Sequence, residues 1–175
     1  CNSFFVQHLE PEAFLQNWYA HKYNPLLAPA PRSEAELQRM YRQIDAAIAR
    51  RGLLHHRAGH GWTCKAIGFE HVCAKLPAPT GAQRPLLAEV DGRREFWQGV
   101  PSNTNLCYSN PAARRAFVQS VADYAGAHPE VDYLHVWLAD EYNNICECDA
   151  CRRTTLSDQY VGLLNEIDAE LTRRG

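Results

Sequence analysis

The sequence is poor in methionine: it opens on Cys1, and Met40 is its only Met. No basic stretch followed by an apolar stretch opens it, so no signal peptide is visible. Both features read as a segment excised from a larger protein. No apolar run approaches the length of a transmembrane helix, so no membrane span is expected. Charge of one sign is also missing. Eighteen Lys and Arg stand against 20 Asp and Glu, for a net charge of −2 with no basic block. That removes the electrostatic footprint of nucleic-acid or anionic-membrane binding. There is no G-x-S-x-G elbow, no phosphate-binding G-x-x-x-x-G-K and no H-E-x-x-H. No organic cofactor is implied.

What is present is an ordinary globular composition, 46% hydrophobic and 22% charged over 175 residues. That excludes disorder and suffices for one domain with a sizeable core. Seven cysteines is an odd number, so at least one is free, metal-bound or paired elsewhere.

Strand patterns alternate with helix patterns along the chain. Ser3 to His8 reads as a short strand and Pro25 to Pro31 as a loop. Ser33 and Glu36 form a capping box before an apolar stripe of Leu37, Met40, Tyr41, Ile44 and Ile48. Gly52 ends that helix, and Leu53 to Arg57 follows as a second strand. Ala58 to Asn105 is long and irregular, with an Asp91-Gly92 hairpin turn. Asn110-Pro111 opens the next helix, with a stripe of Phe117, Val118, Val121 and Tyr124. Tyr133 to Ala139 is a nearly continuous apolar run, the pattern of a strand covered on both faces. A polar loop from Asp140 to Thr155 follows, and Ser157 starts the last helix.

This alternation predicts an α/β fold of parallel β/α units with right-handed crossovers, part of a TIM-type (β/α)8 barrel. Residues 1–175 would then be a partial barrel, and its remaining segments would be its nearest partner. Ligands in such folds bind at the carboxyl ends of the strands. That rule brings His8, Arg57 to Trp62, and Asp140 to Cys151 to one working face.

Three groups there could carry chemistry. Cys146, Cys148 and Cys151 form a C-x-C-x-x-C cluster whose thiols can converge on a structural Zn²⁺. Cys107, just before a helix start, is the expected fourth ligand, with His60 or Cys64 as alternatives. A disulfide among these thiols, or plain reduced cysteines, would also fit the spacing. Asp140 and Glu141 are adjacent carboxylates at a strand's carboxyl end, a pairing suited to glycoside chemistry. Both reach one pocket only if the chain bends there. Arg57, His60 and Trp62, with Asn143 and Asn144, are candidate substrate contacts through hydrogen bonding and stacking on a sugar's apolar face. Each of these has a plain packing or turn role as its alternative.

The stretch from Trp137 through Asp140-Glu141-Tyr-Asn143-Asn144 and the cysteine cluster, followed by Ser157-Asp158-x-Tyr160 and Leu164-Asn165, resembles the bacterial domain-of-unknown-function family 4838. Glycoside hydrolase family 163 is a branch of that family. Asp91-Gly92-Arg93-Arg94, Leu106-Cys107-Tyr108-Ser109-Asn110-Pro111 and the His60-Gly61 turn add to the likeness, which spans residues 53 to 170. The resemblance implies a TIM-type barrel and retaining, substrate-assisted hydrolysis of β-linked N-acetylglucosamine in glycans. It assigns Asp140 to orient the 2-acetamido group and Glu141 to act as acid and base. The expected partner is a carbohydrate or glycoprotein glycan, in a bacterial glycan-degrading system that is cytoplasmic or exported. The alternative is a non-catalytic glycan-binding or structural module with a zinc-pinned loop. Zinc-bound thiolates tolerate a reducing cytoplasm, whereas disulfides would point outside it.

Overall fold

A computed structural model describes residues 33–57, 59, 61–69 and 75–175. The strand read at Ser3 to His8, the loop at Pro25 to Pro31 and His60 lie outside the described residues. The chain divides into two compact units, Cys1–His55 and His56–Gly175.

In the first unit, helix α1 (Glu34–Arg50) begins directly after Ser33. Met40 is buried, and Tyr41, Ile44 and Ile48 are half-buried, in keeping with the stripe. Gly52, at φ 58°, ends the helix in the left-handed region that costs glycine least. The amide of Gly52 donates to Ala49 O (3.1 Å) and that of Leu53 to Ile48 O (3.2 Å), which closes the last turn.

The second unit holds strand β1 (His56–Arg57), the short helix α2 (Trp62–Lys65), helix α3 (Pro111–Ala127), strand β2 (Tyr133–Leu134) and helix α4 (Leu156–Arg174). Asn110 caps α3 by accepting from the amide of Ala112 (2.9 Å), with Pro111 at the first helical position. Helix α4 starts one residue earlier than Ser157. Thr155 is its cap, accepting from the amide of Asp158 (3.1 Å) and donating to that residue's carboxylate (2.8 Å). Phe117, Val118 and Val121 of α3, with Leu163 and Ile167 of α4, join Trp62, Ile67, Leu87, Phe96, Leu106, Tyr108, Ala113 and Val136 in one core. Arg114 of α3 grips Glu166 of α4, its Nε donating at 3.0 Å and its Nη2 at 2.5 Å.

The barrel segment expected from the sequence is not formed. The only sheet among the described residues is one parallel pair, His56 opposite Tyr133 and Arg57 opposite Leu134. Its hydrogen bonding runs on from His135 N to Arg57 O (2.8 Å) and from Trp137 N to Gly59 O (3.1 Å), and adds no further strand. The physical reason lies in the run from Tyr133 to Ala139. Tyr133, His135 and Trp137 are exposed, while Val136 is buried and Leu134 and Leu138 are half-buried. The run is one-faced with period 2, and aromatic rings on its outer face made it look apolar throughout.

The irregular stretch before α3 is built from short turns. Three 3-10 turns, Arg84–Leu86, Trp97–Gly99 and Pro101–Asn103, carry Leu87, Phe96 and Leu106 into the core. A single bridge pairs Leu87 with Leu106. Asp91 (φ 49°) and Gly92 (φ 71°) make a two-residue turn, closed by reciprocal bonds between Val90 and Arg93 at 2.9 and 3.0 Å.

Candidate metal centre

The sulfurs of Cys107, Cys146, Cys148 and Cys151 all lie within 4.8 Å of one another. Each arrives by a separate local device. The Leu87–Leu106 bridge fixes the backbone before Cys107, whose own amide donates to Leu86 O (2.8 Å). Its carbonyl then accepts from Asn110 (2.8 Å) as the chain turns into α3. On the other side, Glu147 N donates to Glu89 O (2.7 Å), and Glu89 N donates to the sulfur of Cys146 (3.3 Å). Cys151 opens the 3-10 turn Cys151–Arg153, and Arg152 N donates to Cys148 O (3.0 Å). The side-chain amide of Gln159 in α4 holds Cys151 O at 2.9 Å. The sulfurs thus come from a bridge, a loop and a turn, brought together by the segment from Leu86 to Val90.

The geometry suits a small tetrahedral cation. With metal–sulfur bonds of about 2.3 Å, a tetrahedron places its sulfurs about 3.8 Å apart. Cys107 stands 3.7 Å from Cys148 and 3.8 Å from Cys151. Cys107, Cys146 and Cys151 are buried and Cys148 is half-buried, with Ala88 and Val90 packed against the group. Four protein sulfurs and an apolar surround leave no open position for substrate, which is the character of a structural site. The four cysteines of the cluster form no disulfide with one another, and Cys64 lies outside the cluster. Cys107 is therefore the fourth thiol.

Electrostatics within the group are uneven. A hydrogen bond from Cys146 lowers the Cys107 thiol below its ordinary value; burial opposes this, and Arg94 adds to the lowering. The same bond, with burial, pushes Cys146 up to about 12. Burial raises Cys151. Burial also pulls on the Arg94 guanidinium, but its hydrogen bond with Cys107 and the cluster's negative charge more than offset that and raise it above the ordinary arginine value. The metal-free group thus favours negative charge on Cys107 and disfavours it on Cys146 and Cys151.

The other candidate residues are placed differently. Asp140 and Glu141 are exposed at the start of the loop. The chain does bend there, with Glu141 at φ 79° and Asn143 at φ 56°. Asn143 is exposed. Asn144 is buried, and its amide nitrogen donates to Asn103 O (2.8 Å) and Asp140 O (2.6 Å). Asn144 Oδ1 accepts from Asn105 (3.0 Å), so this side chain clasps the loop. Trp62 is buried, edge-on to Tyr124 at 5.2 Å, and its indole N–H donates to His135 O at 3.3 Å. Arg57 is half-buried on β1. A shallow, mainly apolar recess is lined by Trp137, Leu138, Leu156, Ser157 and Tyr160, apart from the acidic pair.

Sequence reasoning missed two contributors to the centre. Arg94 sat within the Asp91-Gly92-Arg93-Arg94 motif without a role. Asn105 closes the irregular stretch in the sequence reading, yet its Oδ1 accepts from Tyr108 Oη (3.0 Å) and Ala139 N (3.2 Å). No protein-family model matches the chain, and no curated protein and no solved structure matches it. No helix of the described residues is long and apolar enough to cross a membrane.

Proposed function

We propose that this chain is a zinc-stapled structural module. Cys107, Cys146, Cys148 and Cys151 hold one Zn²⁺ and fix the loop from Asp140 to Thr155 against the body of the second unit. The observation that carries the reading is the mutual approach of the four sulfurs within 4.8 Å. When bound, the ion supplies a cross-link between segments about 40 residues apart in sequence. The test is metal analysis of purified full chain. One equivalent of zinc is expected, falling to none in Cys107→Ser combined with Cys148→Ser. A metal-free wild type that also takes up no zinc on titration would sink the reading.

A second reading concerns what the pinned loop presents. We propose Asp140 and Glu141 as the carboxylates facing a β-linked N-acetylglucosamine of a glycan, one orienting the acetamido group and the other handling the proton at the glycosidic oxygen. What supports it is the left-handed backbone at Glu141, a bend in the chain after the run from Tyr133 to Ala139 at which both adjacent carboxylates are exposed. Asp140→Asn and Glu141→Gln should each abolish glycan release from a glycoprotein. Equal release by wild type and both variants would remove them from catalysis.

A further inference from the structure

The structure assigns Arg94 as the positioning cation of the thiol centre, an inference that rests on the zinc reading. Arg94 sits two residues after the Asp91-Gly92 turn and points back under the hairpin. Its Nη1 donates to Leu87 O at 2.5 Å, and its Nη2 lies 3.4 Å from the Glu89 carboxylate. Both anchors sit beside the thiols: Leu87 is bridged to Leu106, the residue before Cys107, and the Glu89 amide donates to the sulfur of Cys146. Its side chain is 25% exposed, so water screens it only in part.

The charge arithmetic explains why a cation belongs there. Four thiolates around a divalent ion leave a net charge of −2 in a largely buried site. One fixed guanidinium offsets part of that charge, though it is shared with the Glu89 carboxylate 3.4 Å away. The planar fork holds a backbone carbonyl and a carboxylate together beside the sulfurs, whereas an ammonium is a compact point charge on a flexible stem. Leu87 O ties the fork to the strand bridge that also orients Cys107, and Glu89 ties it to the residue whose amide bonds to Cys146. Arg94 thus sets a positive charge beside the sulfurs and holds both sides of the site in register. Arg93, its neighbour in sequence, is exposed and serves as the matched control.

The experiment is zinc competition on the full chain with a chromophoric chelator, together with alkylation of the zinc-saturated protein. Arg94→Gln should weaken zinc by about 10- to 100-fold, the range for outer-shell partners of metal ligands. It should also speed alkylation of the bound sulfurs several-fold at saturating zinc, a readout that loose packing alone does not move if circular dichroism is unchanged. Arg93→Gln should match wild type. Arg94→Lys keeps the charge without the fork and should fall between, which keeps the test alive if Arg94→Gln does not fold. Either Arg94 variant matching wild type in both readouts, or Arg93→Gln costing as much as Arg94→Gln, would overturn the assignment. Absence of zinc binding by wild type itself overturns both this and the zinc reading, and is told apart by the first titration.

Discussion

The backbone amide of Glu89 donates to the sulfur of Cys146 at 3.3 Å, while Glu89's carbonyl accepts from the amide of Glu147 at 2.7 Å. One residue of the hairpin thereby holds both a ligand sulfur and the chain beside it. The loop carrying three of the four thiols is docked by backbone bonds as well as by any ion. Removing the ion should loosen this loop first, because the sulfurs would then face one another with only weak thiol contacts.

Chelation is the direct consequence. A ligand that binds only the folded state stabilises it by about 4 kcal/mol at a thousandfold excess over its dissociation constant. For a unit of this size that corresponds to roughly 10 °C or more in Tm. Thermal unfolding of zinc-loaded protein with and without a strong chelator should show that fall. A Tm unmoved by stripping would mean the thiols cross-link nothing.

Zinc affinity should rise with pH through neutrality. Cys146, pushed up to about 12 by its bond to Cys107 and by burial, and Cys151, raised by burial, both carry protons at pH 7 in the metal-free protein. Zinc must displace those protons, so binding is favoured as pH rises and lost as it falls. Cys107, lowered, reinforces the trend only as pH drops through its own depressed value. A plot of log affinity against pH near neutrality should have a slope of roughly two or more. A flat profile would show that the thiols are not the ligands.

Neighbouring asparagines should behave oppositely. Asn105 satisfies the buried Tyr108 hydroxyl, Ala139 N and Asn144 Oδ1. Truncating it strands several buried polar groups, each costing about 1–3 kcal/mol. Asn105→Ala should therefore lower stability by roughly 3 kcal/mol or more in urea unfolding. Asn143, exposed at φ 56°, should tolerate glycine at no cost, while Asn143→Ala loses about 1 kcal/mol to the left-handed backbone. Equal costs for Asn105→Ala and Asn143→Gly would contradict the clasp.

These asparagines also show where sequence was informative. Asn110-Pro111 and the Asp91-Gly92 turn were readable because each is a local device whose partners lie within three residues. Cys107 was readable as the fourth thiol because it immediately precedes a helix start, where chain direction is constrained. Asn144 was not, since its partners at Asn103 and Asn105 lie about 40 positions away and two of its bonds are to backbone carbonyls. Trp62 reads as a sugar platform, but it is buried and packs edge-on with Tyr124. The strand run differs for a related reason: hydropathy counts Tyr133 and Trp137 as apolar, although both lie on the exposed face.

Gly59 should be irreplaceable for a reason outside the thiol centre. A Cβ built there would stand 2.0 Å from the Trp62 indole nitrogen and 2.3 Å from His135 O, far inside any real contact. The second of these is backbone and cannot swing aside. The space is closed because Trp62 donates to His135 O across Gly59, and Gly59 O accepts from Trp137 N at 3.1 Å. A methyl group must therefore push β2 away from β1 or drive Trp62 out of the core. Overpacking of this kind costs about 1–3 kcal/mol, and expelling a buried Trp about 3–5 kcal/mol. Gly59→Ala should lower stability within that span and shift Trp fluorescence to the red as an indole meets water. Trp62→Phe, which lacks the N–H, should relieve part of the clash in the double variant. Stability of Gly59→Ala within 0.5 kcal/mol of wild type, the ordinary surface-substitution scale, would mean that the strand pair and Trp62 do not meet at Gly59.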